Sequence, residues 1–226
     1  MLPAPGRAVP VSTYRLQLTP DFGFIDAAAV VPYLSRLGIS HVYCSPWLQA
    51  APGSRHGYDV IEHSRLSAEL GGRVGFEQLL AACRQVGLGI LLDIVPNHMA
   101  ISEPESQNAA WWSLLKLGRG SAYASWFDVD WDAQDGKVLV PVLGAPLAEA
   151  ISDVQLDGDR LRYGDHELPI APGTLVEGDV AATLAAQHYR LGHWRVAVEE
   201  LNVRRFFDVT TLAGLRVEDP AVFDAT

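Results

Sequence analysis

Leu88-Gly89-Ile90-Leu91-Leu92-Asp93-Ile94-Val95-Pro96-Asn97-His98-Met99 is the stretch on which the fold reading turns. Its apolar run is continuous rather than alternating, which predicts a strand buried on both faces, as in a parallel sheet covered by helices. Asp93, Asn97 and His98 then set an acid, an amide and an imidazole at or just beyond the carboxyl end of that strand. That is where open α/β sheets and barrels gather their chemistry.

Upstream, Thr13 to Leu18 alternates polar and apolar residues and reads as a first strand. A helix follows, with Asp26 as its N-cap and Ala27, Val30, Val31, Leu34 and Leu37 at helical spacing up to Gly38; Pro32 implies a late start or a kink. Ile39 to Cys44 is a second strand. From Trp47 to Arg73 the chain lacks a sustained period and reads as a long loop, which carries His56-Gly57-Tyr58-Asp59. Phe76, Leu79, Leu80, Cys83 and Val86 then share one helical face, closed by Gly87. The series is the beginning of a parallel α/β sheet or barrel.

Downstream the pattern changes. Trp111, Trp112, Tyr123, Trp126, Phe127 and Trp131 crowd one segment, for which loop packing is the expected role. Lys137 to Leu143 reads as a strand, and Asp157-Gly158-Asp159 and Gly164-Asp165-His166 as turns of a small antiparallel meander. Asp179 to Arg190 reads as a helix, and Trp194 to Val198 and Val203 to Val209 as strands. This is too long for a connection within a compact sheet. The division expected is residues 1–100 as the first part of a barrel and 101–226 as an inserted α+β subdomain after the third strand.

The totals exclude several classes. With 226 residues and 49% hydrophobic composition the chain can bury a core. A formal charge of −10 with scattered basic residues argues against a nucleic-acid partner, and no run is long enough to span a membrane. Met1 to Pro10 lacks the apolar core of a secretion signal, and Cys44 and Cys83 read as reduced core thiols, so a cytoplasmic location is expected. The remaining histidines, His41, His63, His166, His188 and His193, have no metal-ligand spacing, and neither a metal nor a cofactor is expected.

Asp93-Ile94-Val95-Pro96-Asn97-His98 resembles the first sequence signature of the α-amylase superfamily, retaining enzymes on a TIM (β/α)8 barrel that act on α-glucosidic bonds. Gly57-Tyr58-Asp59 is similar to the family segment whose tyrosine stacks on a sugar ring. Six ordered segments, Ser12 to Leu18, Gly38 to Tyr43, His56 to Asp59, Leu139 to Gly144, Gln187 to Leu191 and Arg204 to Asp208, resemble the maltooligosyltrehalose synthase family within it. The resemblance implies an intramolecular transglucosylase whose substrate is a maltooligosaccharide, with its reducing-end α-1,4 bond moved to an α,α-1,1 bond. A hydrolase or other transglucosylase of the superfamily, and a non-catalytic maltooligosaccharide-binding fragment, are the alternatives.

It also implies roles. Tyr58, Asp59, His98, Asn97 and Arg205 are expected to bind substrate, with Asn97 organising its loop, and Asp93 to be a structural anchor accepting backbone N–H groups. Arg204, Arg205 and Asp208 beside Phe206-Phe207 either line the active-site wall or form a salt-bridged strand. Retaining chemistry needs a carboxylate nucleophile and a second carboxyl as acid and base; the resemblance puts both beyond Thr226, in the missing carboxyl-terminal part of the same protein. Gly214-Leu215-Arg216-Val217-Glu218 imitates the nucleophile signature, but Glu218 is read as a decoy. An incomplete barrel is expected to expose the edge of its third strand and apolar faces of its helices.

Overall fold

The computed structural model describes residues 9–226, so most of the reading of Met1 to Pro10 lies outside the described residues. Two compact units are present, one ending at Val95 and the other Pro96–Thr226. Their boundary falls ahead of the 100/101 division, because the strand that starts at His98 pairs with one near the end of the chain.

The first unit contains β1 (Thr13–Leu16), α1 (Phe24–Arg36), β2 (His41–Cys44), β3 (Leu48–Ala50), β4 (Val60–Leu66), α2 (Gly72–Val86) and β5 (Gly89–Leu92). β1, β2 and β5 form one parallel sheet in that order. Leu16 pairs with Cys44 and Cys44 with Leu92, so the three strands end in one row. Phe24, Ala27, Val31 and Leu34 of α1 and Leu79 and Cys83 of α2 close on Val42 and Cys44 in a single core. Each large apolar side chain buried there stabilises the unit by about 1.5–3 kcal/mol. Burial also pushes the Cys44 thiol up to about 12 and the Cys83 thiol to about 11, which keeps both as unreactive core groups.

Three expectations need correction here. Asp26 is not the N-cap of α1; Gly23 is, and the Asp26 carboxylate, one turn in, accepts the Gly23 N–H at 2.9 Å while the helix runs on through Pro32. The long loop from Trp47 contains an antiparallel pair, β3 with β4, whose register shifts erase the alternation by which strands are read. Finally, the opening stretch is not one strand buried on both faces. β5 ends at Leu92, Pro96 interrupts the ladder, and His98 begins a new strand. As an edge strand β5 leaves Leu92 48% exposed, Ile94 beyond it is 66% exposed, and Ile25 and Tyr33 of α1 and its C-cap Leu37 are exposed as well. Gly89 is fixed by packing: a Cβ there would lie 2.2 Å from the ring of buried His41 on the neighbouring strand.

The second unit contains β6 (His98–Ala100), α3 (Ala109–Leu117), β7 (Val138–Leu143), α4 (Leu147–Ala150), β8 (Gln155–Asp157), β9 (Arg160–Tyr163), β10 (His166–Pro169), α5 (Val180–Ala185), β11 (Tyr189–His193), α6 (Ala197–Glu200), β12 (Arg205–Phe206), β13 (Val209–Gly214) and α7 (Pro220–Ala225). β8, β9 and β10 make the antiparallel meander that the Asp-Gly-Asp and Gly-Asp-His turns predict. β7 pairs in parallel with β11, and β13 lies between β12 and β6. The expected helix over 179–190 is therefore cut short at Ala185. The expected strand over 194–198 is a 3-10 turn running into α6, and that over 203–209 is a two-residue strand followed by β13. Apolar runs of four or five residues fit either state, and tertiary pairing decides. Trp111 is in the core, edge-on to Phe127, while Trp112 and Trp131 carry Arg160 and Arg119 over their rings.

A buried ion pair holds the segment before α3 to the meander. His166 Nδ1–H donates to Glu105 Oε1 at 2.7 Å, and the Glu167 N–H donates to the other oxygen at 3.0 Å. The Glu105 carboxylate, 1% exposed, raises the His166 pKa against the opposing effect of burial. Because the folded pKa lies above the unfolded value of about 6.5, the stabilisation is full below that value and is lost as pH rises through the folded pKa. The urea midpoint of this unit is expected to fall on that rise in the wild type, and a His166→Gln variant should show no such step.

Candidate functional site

The row in which β1, β2 and β5 end accounts for a cluster in the first unit. Arg15, Tyr43 and Leu91 are paired neighbours, and side chains two residues apart on a strand share a face, so Arg15, Tyr43 and Asp93 come together at the carboxyl edge. The Asp93 backbone N–H bonds Cys44 O at 3.2 Å, which continues the ladder by one residue. Its Oδ2 accepts the Tyr58 hydroxyl at 2.5 Å and the Tyr43 hydroxyl at 3.1 Å, with Arg15 Nη2 at 3.8 Å. Asp93 thus anchors side-chain phenols, and not the backbone N–H groups expected for it.

Tyr58 reaches this carboxylate from the β3–β4 connection. Gly57, at φ +79° and with Pro46 O 2.5 Å from where a Cβ would stand, makes the turn that only glycine permits. Arg15 Nη2 donates to the Tyr58 oxygen at 3.2 Å, and the Tyr58 ring lies near-parallel to His56. The hydrogen bond to Asp93 is the main cause of a raised Tyr58 pKa; burial adds to it and Arg15 opposes it. The result is a neutral phenol with its hydroxyl tethered and its ring 36% accessible. Asp59 serves the turn itself: its Oδ1 accepts Ser54 Oγ–H at 2.5 Å, and His56 Nδ1 is 3.5 Å away.

Asn97 and His98 lie in the second unit. His98 Nδ1–H donates to Asn97 Oδ1 at 3.0 Å, and Asn97 O accepts the Leu215 N–H, so the amide fixes the imidazole while its carbonyl ties the start of β6 to the end of β13. The His98 ring is 3% exposed and stacks on Phe206 at 4.0 Å between centroids. Arg205, one residue away, does not join this pair. It lines a separate cavity of ≈ 260 Å³. Arg204 pairs with Asp128 at 3.4 Å and Glu218 at 3.7 Å, and Glu218 is exposed, between Arg204 and Arg216. Among the described residues no group of three or more His, Cys, Asp or Glu side chains could hold a metal ion.

Arg15, Tyr43 and Phe206 are the participants that sequence reading missed as site residues. For Arg15 and Tyr43 a signal existed, since both sit at alternate positions on strands predicted to be parallel to the one bearing Asp93. For Phe206 there was none, because its partner is distant in sequence.

A parallel α/β sheet with an acid, two phenols and a guanidinium at the carboxyl ends of its strands defines a protein of the barrel-edge class. The family model for the alpha-amylase catalytic domain matches residues 27–142, and the chain belongs to that family, whose fold is the TIM barrel. It is 48% identical over 96% of its length to a putative maltooligosyl trehalose synthase of Mycobacterium tuberculosis. Among solved structures, maltooligosyltrehalose synthase from Arthrobacter ramosus matches with 47% identity and a TM-score of 0.92 over 96% of this chain. A second solved maltooligosyl trehalose synthase matches with 42% identity and a TM-score of 0.86, again over 96% of the chain and 29% of its own. The chain spans 28% of the length of each of the first two relatives.

Proposed function

We propose that the chain is the amino-terminal part of an intramolecular transglucosylase that rearranges the reducing-end α-1,4 bond of a maltooligosaccharide into an α,α-1,1 bond with retention. The observation that carries this reading is the 47–48% identity to maltooligosyltrehalose synthases over 96% of the chain. In it, the three parallel strands are the first of the barrel, and the second unit is the subdomain inserted after the third. Tyr58 offers its ring to the apolar C–H face of a glucose unit, and the Asp93–Tyr43–Arg15 tether keeps that ring from rotating away. His98 binds a hydroxyl, which its burial allows only when the cover over it is displaced; Asn97 holds the imidazole in the tautomer with hydrogen on Nδ1.

The nucleophile and the acid/base carboxyl belong to the remainder of the protein, so this chain binds and orients but does not cleave. Rearrangement rather than hydrolysis requires that the released glucose be retained and water kept from the glycosyl intermediate. No cofactor enters this chemistry, and the setting is the cytoplasm. Among the described residues no helix is long and apolar enough to cross a membrane.

Product analysis tests the proposal. A protein of the relatives' length that begins with this chain, incubated with maltohexaose, should convert it to a product of the same mass without a reducing end. Newly reducing fragments in place of that product would make it a hydrolase, and turnover by the 226-residue chain alone would overturn the assignment of the carboxylates to the remainder.

A further inference from the structure

The cavity that Arg205 lines lies within the second unit and has apolar walls from Trp111, Leu139, Val140 and Val203. Arg205 and Ala213, paired across β12 and β13, both line it, and so does Thr211, two residues along β13. Neighbouring Phe206 instead stacks on His98, and neither lines the cavity. The cavity is therefore set apart from the His98–Phe206 pair, and the register shift between Arg205 and Phe206 marks where the two diverge.

Its charges are unevenly satisfied. Glu105 is held by His166 and the Glu167 N–H, and Arg204 by Asp128 and Glu218. Two lining charges, Arg205 and Glu103, have no ion-pair partner among the described residues. Glu103 is exposed, so water solvates it, whereas Arg205 is half-buried against an apolar wall. A partly desolvated guanidinium without a counter-charge is the costlier of the two, and a planar fork of N–H donors selects a carboxylate or phosphate. His166 spends Nδ1 on Glu105, and in the protonated form that this carboxylate favours its Nε2–H is a second donor in the same wall.

We propose that this cavity is a second binding site, separate from the sugar-binding residues, for a small molecule with one anionic head, carboxylate or phosphate, on a compact apolar body. The head pairs with Arg205 and His166, and the body lies on Trp111 and the valine and leucine side chains of β7. Cavities of a few hundred Å³ with apolar walls and a few convergent polar groups are the usual form of small-molecule sites.

The test is a titration of the chain with phenyl phosphate, benzoate and neutral benzyl alcohol, read by calorimetry and by tryptophan fluorescence. Saturable binding of at least one anion is expected, about tenfold tighter than that of benzyl alcohol, in line with a charge-assisted pair. The tighter of the two anions identifies the head group. Arg205→Met keeps the aliphatic stem and breaks no ion pair, so it should fold normally and bind the anion about tenfold less tightly. Arg205→Lys, with charge but no fork, should fall between, and maltohexaose should not displace the anion. Equal binding of benzyl alcohol, unchanged affinity in Arg205→Met, displacement by maltohexaose, or no saturable binding at millimolar concentrations would each overturn the proposal.

Discussion

Asn202→Ala is expected to destabilise the second unit by about 3–4 kcal/mol, near the upper end of single-residue effects. Asn202 is buried, and its side chain joins three separate stretches of chain. Its Oδ1 accepts the Leu139 N–H at 2.9 Å, and its Nδ2 donates to Asp130 O at 2.9 Å and Lys137 O at 2.8 Å. Alanine removes all three bonds where water has little access, and each abandoned buried group costs about 1–3 kcal/mol. Asn202→Asp keeps the acceptor but turns the donor into a carboxylate oxygen facing two carbonyls, so it should rescue little. Urea denaturation followed by fluorescence separates the units, because every tryptophan except Trp47 is in the second. The early transition should belong to the tryptophan-rich unit in both variants.

The second large effect is at Asp93. Asp93→Asn retains the shape and one acceptor but removes the charge to which both phenols and Arg15 are drawn. Since the hydrogen bond to Asp93 is the main cause of the raised Tyr58 pKa, the phenol should titrate closer to its ordinary value of about 10 in the variant. Loosening of the same tether should weaken maltooligosaccharide binding several-fold, because an aromatic platform that must be ordered on binding gives back part of its contact energy. Ultraviolet titration of tyrosine and calorimetry with maltohexaose measure the two effects. A weakened affinity with an unmoved phenol would mean that Asp93 acts on the sugar by another route.

These two sites show which parts of the molecule were legible in advance. Leu88 to Leu92, Ile39 to Cys44 and the helices that precede them announced a parallel sheet, because short apolar runs that each follow a helix closed by glycine read as successive βα units. Asp157-Gly158-Asp159 announced the meander for an equally local reason. Val60 to Leu66 did not announce a strand, since its partner shifts register and its charged residues follow no alternation. The segments at 194–198 and 203–209 were ambiguous because short apolar runs take their state from what they pair with. His98 was visible as a polar residue after an apolar run, but its burial under Phe206 depends on β13 folding back onto β6. Arg205 was singled out beside Phe206-Phe207, but the sequence did not show that it lines a cavity which Phe206 does not.

The exposed residues on β5 and α1 bear on how the unit behaves. Leu92 at the end of the edge strand, Ile94 just beyond it, and Ile25, Tyr33 and Leu37 on and after α1 are exposed apolar side chains, the kind that barrel closure buries and that promote association when left open.

The central claim is that this chain presents Tyr58 as a tethered sugar platform, and calorimetric titration with maltohexaose tests it most directly. Wild-type chain should bind weakly and saturably, Tyr58→Phe should keep part of that affinity because the ring remains, and Tyr58→Ala should abolish it. Binding by Tyr58→Ala equal to wild type, or no binding by the wild-type chain, would contradict the account.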